Sequence, residues 1–209
     1  MDTARLRTEY EGKAETFERL RDVAKFVLTE EIKRKKIKIH SIPARIKSFN
    51  SFLKKAQDLE KKQGKEIKDP FTEIRDIIGL RVVCLFLDDL QKIADIIKTR
   101  FEVIEEENVI GDTGADIFKY YLPQFKVKLK DTSTHYKDIP FEIQVRTIAQ
   151  DAWASISHCL AYKQEFGAPI PNDMERDFYA LNGLFYVADT HFIMIRKELY
   201  KELESSKLK

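Results

Sequence analysis

The sequence has 209 residues and is short of several things: it holds two cysteines, seven glycines, six prolines and one tryptophan. Two thiols make no disulfide framework. Cys84 lies in an apolar run and Cys159 in a helix-like stretch, so both read as reduced core thiols. So little Gly and Pro, beside 43% hydrophobic residues, excludes a collagen-like, low-complexity or disordered chain. Long apolar runs are missing too. Val82 to Leu87 is far too short to span a bilayer. The opening residues MDTARLRTEYEGK contain no apolar stretch of the signal-peptide kind. There is no G-x-x-x-x-G-K-[ST] and no G-x-G-x-x-G, which excludes a P-loop and a dinucleotide fingerprint. His40, His135, His158 and His191 are scattered and have no metal-ligand spacing with the cysteines, so no zinc site is expected. The expectation is a soluble, cytoplasmic protein without a membrane partner.

What is present is charge, and it is unevenly placed. The formal net charge is +2, yet residues 31–68 hold 13 Lys/Arg against four acids. That concentration could hold polyphosphate or nucleic acid. The run Lys33 to Lys36, taken alone, reads as a solvated helical face.

Apolar spacing predicts a helix over 3–36, an extended stretch over 37–46, a helix over 48–62 and a break at Gly64 and Asp69-Pro70. Residues 77–87 are nearly all apolar and often β-branched, which predicts a buried central strand. Asp88 and Asp89 are expected to cap a helix through residue 98. Strands follow at 101–104, 125–129 and 141–145, with an exposed loop at 105–115. Residues 147–162 read as helix, with Trp153 as core. A long helix opens at Asn172 with a capping-box-like Glu175. Along it Met174, Phe178, Leu181, Phe185, Ala188, Phe192, Ile195 and Leu199 form a stripe, read as a packing seam within the chain or to another subunit. The class is α+β with one mixed sheet.

Two acids stand out. Asp76 immediately precedes the most apolar strand, and Glu142 sits inside another, in FEIQVRT over 141–147. Strand side chains alternate, so Glu142, Gln144 and Arg146 share one face while Phe141, Ile143 and Val145 enter the core. Burying that polar row without partners is unfavourable, and it makes sense lining a cleft. Two carboxylates on neighbouring strands can hold Mg²⁺ together with substrate phosphates. Equally, Asp76 and Glu142 could simply pair with Arg75, Arg81 or Arg146. Arg45 and Lys47, then Ser51 and Lys54 or Lys55 on the first turns of a helix, form a plausible triphosphate cradle. His158, on the helix after the Glu142 strand, is more simply a structural residue than a base.

Together these segments resemble the synthetase domain of the RelA/SpoT family, most of all its small single-domain alarmone synthetases. The matching pieces are Arg45, Lys47, Ser48, Ser51 and Lys55; DIIGLR over 76–81; FEIQVRT over 141–147; and Trp153 through His158 to Tyr162 and Lys163. The resemblance implies one synthetase domain over 1–209, with a nucleotidyltransferase-like mixed sheet, a catalytic core at about 37–163 and helical flanks at 3–36 and 172–207. It implies transfer of the ATP β,γ-pyrophosphate to the 3′-OH of GDP or GTP, giving a (p)ppGpp-type alarmone. Arg45, Lys47, Ser51, Lys55 and Arg81 would bind ATP. Asp76 and Glu142 would be catalytic and hold Mg²⁺. Tyr120, Gln144, Arg146 and His158 would lie on the acceptor side.

The chain departs from the family's Gly-Tyr-x-Ser-x-His stretch. Tyr120 falls on the stacking Tyr, but Lys119, Leu122 and Gln124 replace the Gly, Ser and His, and Ser157 stands where a Glu is usual. Those differences leave three readings: GDP or GTP as acceptor; a toxic relative that modifies adenosine nucleotides or the tRNA 3′ end; or a nucleotide-binding module without catalysis. Self-association is permitted by the C-terminal stripe. No His-Asp metal cluster of the hydrolase type is visible, so alarmone degradation is not expected.

Overall fold

A computed structural model describes residues 2–108, 123–130, 136, 138–157, 159–160 and 172–207. The chain begins with two helices, α1 (Thr3–Gly12) and α2 (Ala14–Arg34), where the sequence predicts one. The apolar spacing runs through the junction and hides it. Gly12 supplies the weak point, being about 1 kcal/mol poorer than Ala in a helix. The break lets Tyr10 and Phe17 both reach the aromatic cluster of Phe49, Phe52 and Phe71.

Two three-residue strands follow, β1 (Ile39–Ser41) and β2 (Ala44–Ile46), separated by Ile42 and Pro43. The helix α3 (Phe49–Gln63) is capped by Ser48, whose hydroxyl accepts from the Ser51 N–H, and it ends at Gly64 with φ 66°. A side chain there would be strained, so glycine suits this C-cap. Asp69 caps the short α4 (Pro70–Glu73).

The expected central strand is β3 (Ile78–Cys84), which pairs antiparallel with β1 and β2 and parallel with β6 (Phe141–Thr147). Between them in sequence come α5 (Asp88–Arg100), β4 (Phe101–Asn108) and β5 (Pro123–Leu129). The sheet runs β1-β3-β6-β5-β4, with β2 also on β3, so the expected α+β class with a mixed sheet is met. One face carries Leu80, Val82, Phe141, Ile143, Val145, Phe125 and Val127, buried against α2 and α5.

Several expectations are corrected. Asp88 and Asp89 do not cap α5; its N-cap is Leu87, with no side-chain bond. Asp89 is instead buried and receives Lys92 (2.7 Å) and Arg196 (2.9 Å). Residues 105–108, expected in a loop, extend β4 opposite 123–126. An exposed edge strand of glutamates has no apolar alternation to read. The rest of that loop lies outside the described residues.

The helix expected over 147–162 is α6 (Ile148–Ser157), with Thr147 still in the strand; residues 158, 161 and 162 are not described. Trp153, expected in the core, is half-buried and tilts against Phe185. The long helix is α7 (Asn172–Lys207). Along its stripe Leu181, Phe192, Ile195 and Leu199 are each about half exposed, while Phe185 and Ala188 are half-buried. The Glu175 cap and the side chains of Met174 and Phe178 fall outside the description. Among the described residues no helix is long and apolar enough to cross a membrane.

Candidate active site

The second sheet face carries the polar row expected from the alternation in β6. Register aligns Arg45 of β2, Gly79 of β3, Glu142 of β6, Lys126 of β5 and Glu105 of β4 in one line across the sheet. The next line holds Arg81, Gln144 and Gln124. A cavity of about 230 Å³ opens over this face, lined by Pro43, Ala44, Arg45, Gly79, Leu80, Arg81, Glu142 and Gln144. The Arg45 side chain lies over Gly79, where the face carries no side chain of its own. A Cβ there would stand 3.6 Å from the Arg45 Nε.

Glu142 is 7% exposed, so its carboxylate must be satisfied by protein. The Lys126 ammonium and the Gln124 Nε2 (2.7 Å) donate to Oε2, and the Gln144 amide donates to Oε1. Neither Arg81 nor Arg146 takes that place. The partner comes from the neighbouring strand.

Asp76 forms a second cluster. It sits in the turn before β3, and its Oδ2 accepts from Lys47 Nζ (3.1 Å) and Lys55 Nζ (2.5 Å). Burial pushes the carboxyl up, but Lys55 and Lys47 outweigh it and hold Asp76 below the ordinary carboxylate value. Arg75, a partner open from sequence, pairs instead with Glu105 at 3.2 Å. The Asp76 Oδ1 is buried and has no hydrogen-bond partner among the described residues. Lys47 is fixed from three sides: its N–H donates to the Ile77 carbonyl (2.8 Å), its carbonyl accepts from the Tyr10 hydroxyl, and its ammonium lies on Asp76. Ser51 stands in the first exposed turn of α3, one turn before Lys55, with its hydroxyl 3.0 Å from that of Ser48.

Arg81 donates from Nε to Gln144 Oε1 (3.2 Å) and from Nη1 to Asp151 Oδ1 (2.6 Å). Arg146 approaches the same Asp151 oxygen at 3.8 Å. Burial first, and then the Arg81 charge, lower the Arg146 guanidinium to about 10.

The expected residues Arg45, Arg81, Glu142, Gln144 and Arg146 thus share one sheet face. Lys47, Ser51, Lys55 and Asp76 gather beside it, and Asp76 does not line the cavity. Tyr120 and His158 lie outside the described residues, as do Lys119 and Leu122. Among those described, no group of three or more His, Cys, Asp or Glu side chains is gathered as for a metal ion. Alternation over 125–129 sets Lys126 on the polar face and suits it to a polyanionic acceptor, but does not give Glu142 as its partner. Sequence reasoning missed Gly79, whose pairing with Arg45 is a matter of register. It also missed Asp151, which had only its closeness to Arg146 in sequence.

Comparison with known proteins follows the same lines. The family model described as the region found in RelA / SpoT proteins matches residues 44–166. The chain is 34% identical over 119 residues to GTP pyrophosphokinase YjbM of Bacillus subtilis (strain 168), covering 54% of this chain and 55% of that protein. It thus spans about half the length of that relative. GTP pyrophosphokinase YwaC of the same organism is 26% identical over 167 residues, 77% of this chain and 75% of that one. The crystal structure of small alarmone synthetase 1 from Bacillus subtilis superposes with a TM-score of 0.74 at 23% identity, covering 93% and 99% of the two chains. That likeness shows the fold.

Proposed function

The chain belongs to the RelA/SpoT family, and from that premise we propose that it is an ATP-dependent pyrophosphotransferase, moving the β,γ-pyrophosphate of ATP to the ribose 3′-OH of GDP or GTP. The observation that carries this reading is the single sheet face shared by Glu142, Arg45 and Arg81 around one cavity. Relatives named GTP pyrophosphokinase support it. We read the 209 residues as one synthetase domain of the cytoplasm, with its core at about 37–163. The half-exposed stripe of α7 is then a contact between copies.

In this reaction the acceptor 3′-oxygen attacks the β-phosphorus of ATP. The bond from that phosphorus to the oxygen bridging the α-phosphate breaks, and AMP leaves. Such transfers are catalysed chiefly by positioning and by neutralising phosphate charge. Arg45, Arg81, Lys47, Lys55 and Ser51 hold the donor triphosphate. Glu142 takes the 3′-OH proton, which requires Lys126 to give way to the acceptor. Gln144 and Arg146 line the acceptor side, with Tyr120 and His158 assigned there by the family pattern.

Mg²⁺ fits the residues present at Asp76. Its carboxylate is held ionised by two lysines and keeps one buried oxygen without a partner. Glu142 would serve as the second ligand once Lys126 leaves its carboxylate, since both of its oxygens now accept from protein donors. When bound, the ion would neutralise charge on the transferred phosphates.

A second acceptor class is favoured by one observation. Lys126 sits on Glu142 itself, and Gln124 replaces the family's His beside it. A polyanionic acceptor such as the tRNA 3′ end, or an adenosine nucleotide, would suit that wall. The test is to incubate the protein with Mg²⁺, γ-labelled ATP and, separately, GDP, GTP, ADP, ATP or deacylated tRNA. Labelled product with stoichiometric AMP is expected for one of them. No AMP with any acceptor would leave only a nucleotide-binding module.

A further inference from the structure

Arg81 and Arg146 come from different strands and end on one carboxylate oxygen. Arg81 Nη1 lies 2.6 Å and Arg146 Nη1 3.8 Å from Asp151 Oδ1. Both guanidiniums are largely removed from solvent, their side chains being 28% and 17% exposed. Like charges brought so close in a partly buried site repel each other, and Arg45 adds a third charge to the set.

We propose that Asp151 is a positioning residue of the active site, holding Arg81 of the donor side and Arg146 of the acceptor side in fixed places beside one another. The inference rests on the pyrophosphotransfer reading and deepens it. Asp151 does not face the cavity itself; it acts through the two arginines.

The carboxylate is delivered from a rigid support. Thr147 and Gln150 close the β6–α6 junction reciprocally: Thr147 N–H donates to Gln150 Oε1 (2.9 Å), and Gln150 N–H donates to Thr147 Oγ1 (3.1 Å). The Thr147 hydroxyl in turn donates to the buried Asp189 of α7 at 2.6 Å. Asp151 follows in the first turn of α6, where the helix N-terminus favours an anion. The negative charge also sets the sign of the effect. Asp151 opposes phosphate binding slightly while it fixes the groups that bind. Removing it should leave donor affinity intact and degrade alignment, which is read in kcat.

The experiment compares the wild-type protein with Asp151→Asn. With ATP, Mg²⁺ and the acceptor that supports turnover, kcat should fall at least about tenfold while the KM for ATP stays within about threefold. An unchanged kcat, or a loss carried wholly by a raised KM, overturns the proposal. Asp151→Glu keeps the charge and should recover most of the rate; it replaces the Asn variant if that one does not fold. A second readout needs no turnover. The Nε–H resonances of Arg81 and Arg146, assigned with Arg81→Lys and Arg146→Lys, should be resolved in wild type and averaged in Asp151→Asn. Identical spectra overturn the proposal. If wild type makes no AMP, the pyrophosphotransfer reading falls, and the arginine spectra alone decide the role of Asp151.

Discussion

Arg45 and Gly79 are partners across the β2–β3 ladder, and the arginine side chain covers the face that the glycine leaves bare. A methyl group at 79 would meet Nε at 3.6 Å and Cγ at 3.7 Å, which is ordinary contact. Gly79→Ala should therefore fold and keep its KM for ATP within about threefold. Gly79→Val adds bulk that Arg45 cannot accommodate in place. It should raise that KM about tenfold, or ~1.4 kcal/mol of donor binding. Steady-state kinetics and a melting curve for both variants check this; equal KM values would remove Arg45 from the donor site.

Glu142→Gln keeps a hydrogen-bonding group between Gln124 and Gln144 but cannot take a proton. Turnover should drop by at least about 10²–10⁴-fold. Affinity for a non-hydrolysable ATP analogue, measured by calorimetry, should change little. Normal turnover in this variant would end its assigned role.

Asp76 supplies a pH signature. Its folded carboxyl lies below the ordinary 3.8, so the Lys47 and Lys55 pairing adds stability above that pH. The contribution disappears as pH falls through the folded value. In urea unfolding without Mg²⁺ between pH 5 and 2, Asp76→Asn should lose stability relative to wild type at pH 5. The two should converge toward pH 2. A constant difference would mean that the carboxylate charge contributes nothing.

Cys84 is fully buried, and its Sγ lies 3.3 Å from the Arg146 carbonyl and 3.4 Å from that of Phe86. Burial first, then the Asp89 charge, push its thiol up to about 12. At pH 8 it is protonated and out of reach. Iodoacetamide should label it at least about 100-fold more slowly in the native protein than in urea, as read by mass spectrometry. Equal rates would contradict the buried placement.

Much of this was legible in the sequence for a definite reason. A strand buried on one face must alternate, so Glu142, Gln144 and Arg146 were tied together by period alone. Asp76 was marked by its place before the most apolar run. Partner choice was not legible. The candidates for Asp76 and Glu142 were arginines near in sequence, whereas the structure uses Lys47 and Lys55 from a packed helix and its approach, and Lys126 from the adjacent strand. Register and layer packing set those meetings, and neither is written in local spacing. Residues 105–108 read as loop for the complementary reason: all four are exposed, and an edge strand of that kind carries no hydrophobic period.

Both margins of the sheet resist growth. At one end β4 presents Glu102, Glu105, Glu106 and Glu107, so another strand laid alongside would bring its backbone into a field of like charge. At the other, β1 and β2 are three residues each and are interrupted at Pro43, which has no N–H to offer. Among the described residues, both edges of the sheet are thus guarded against a further strand. Copies of this chain that meet at high concentration are steered away from fibrillar, strand-to-strand stacking.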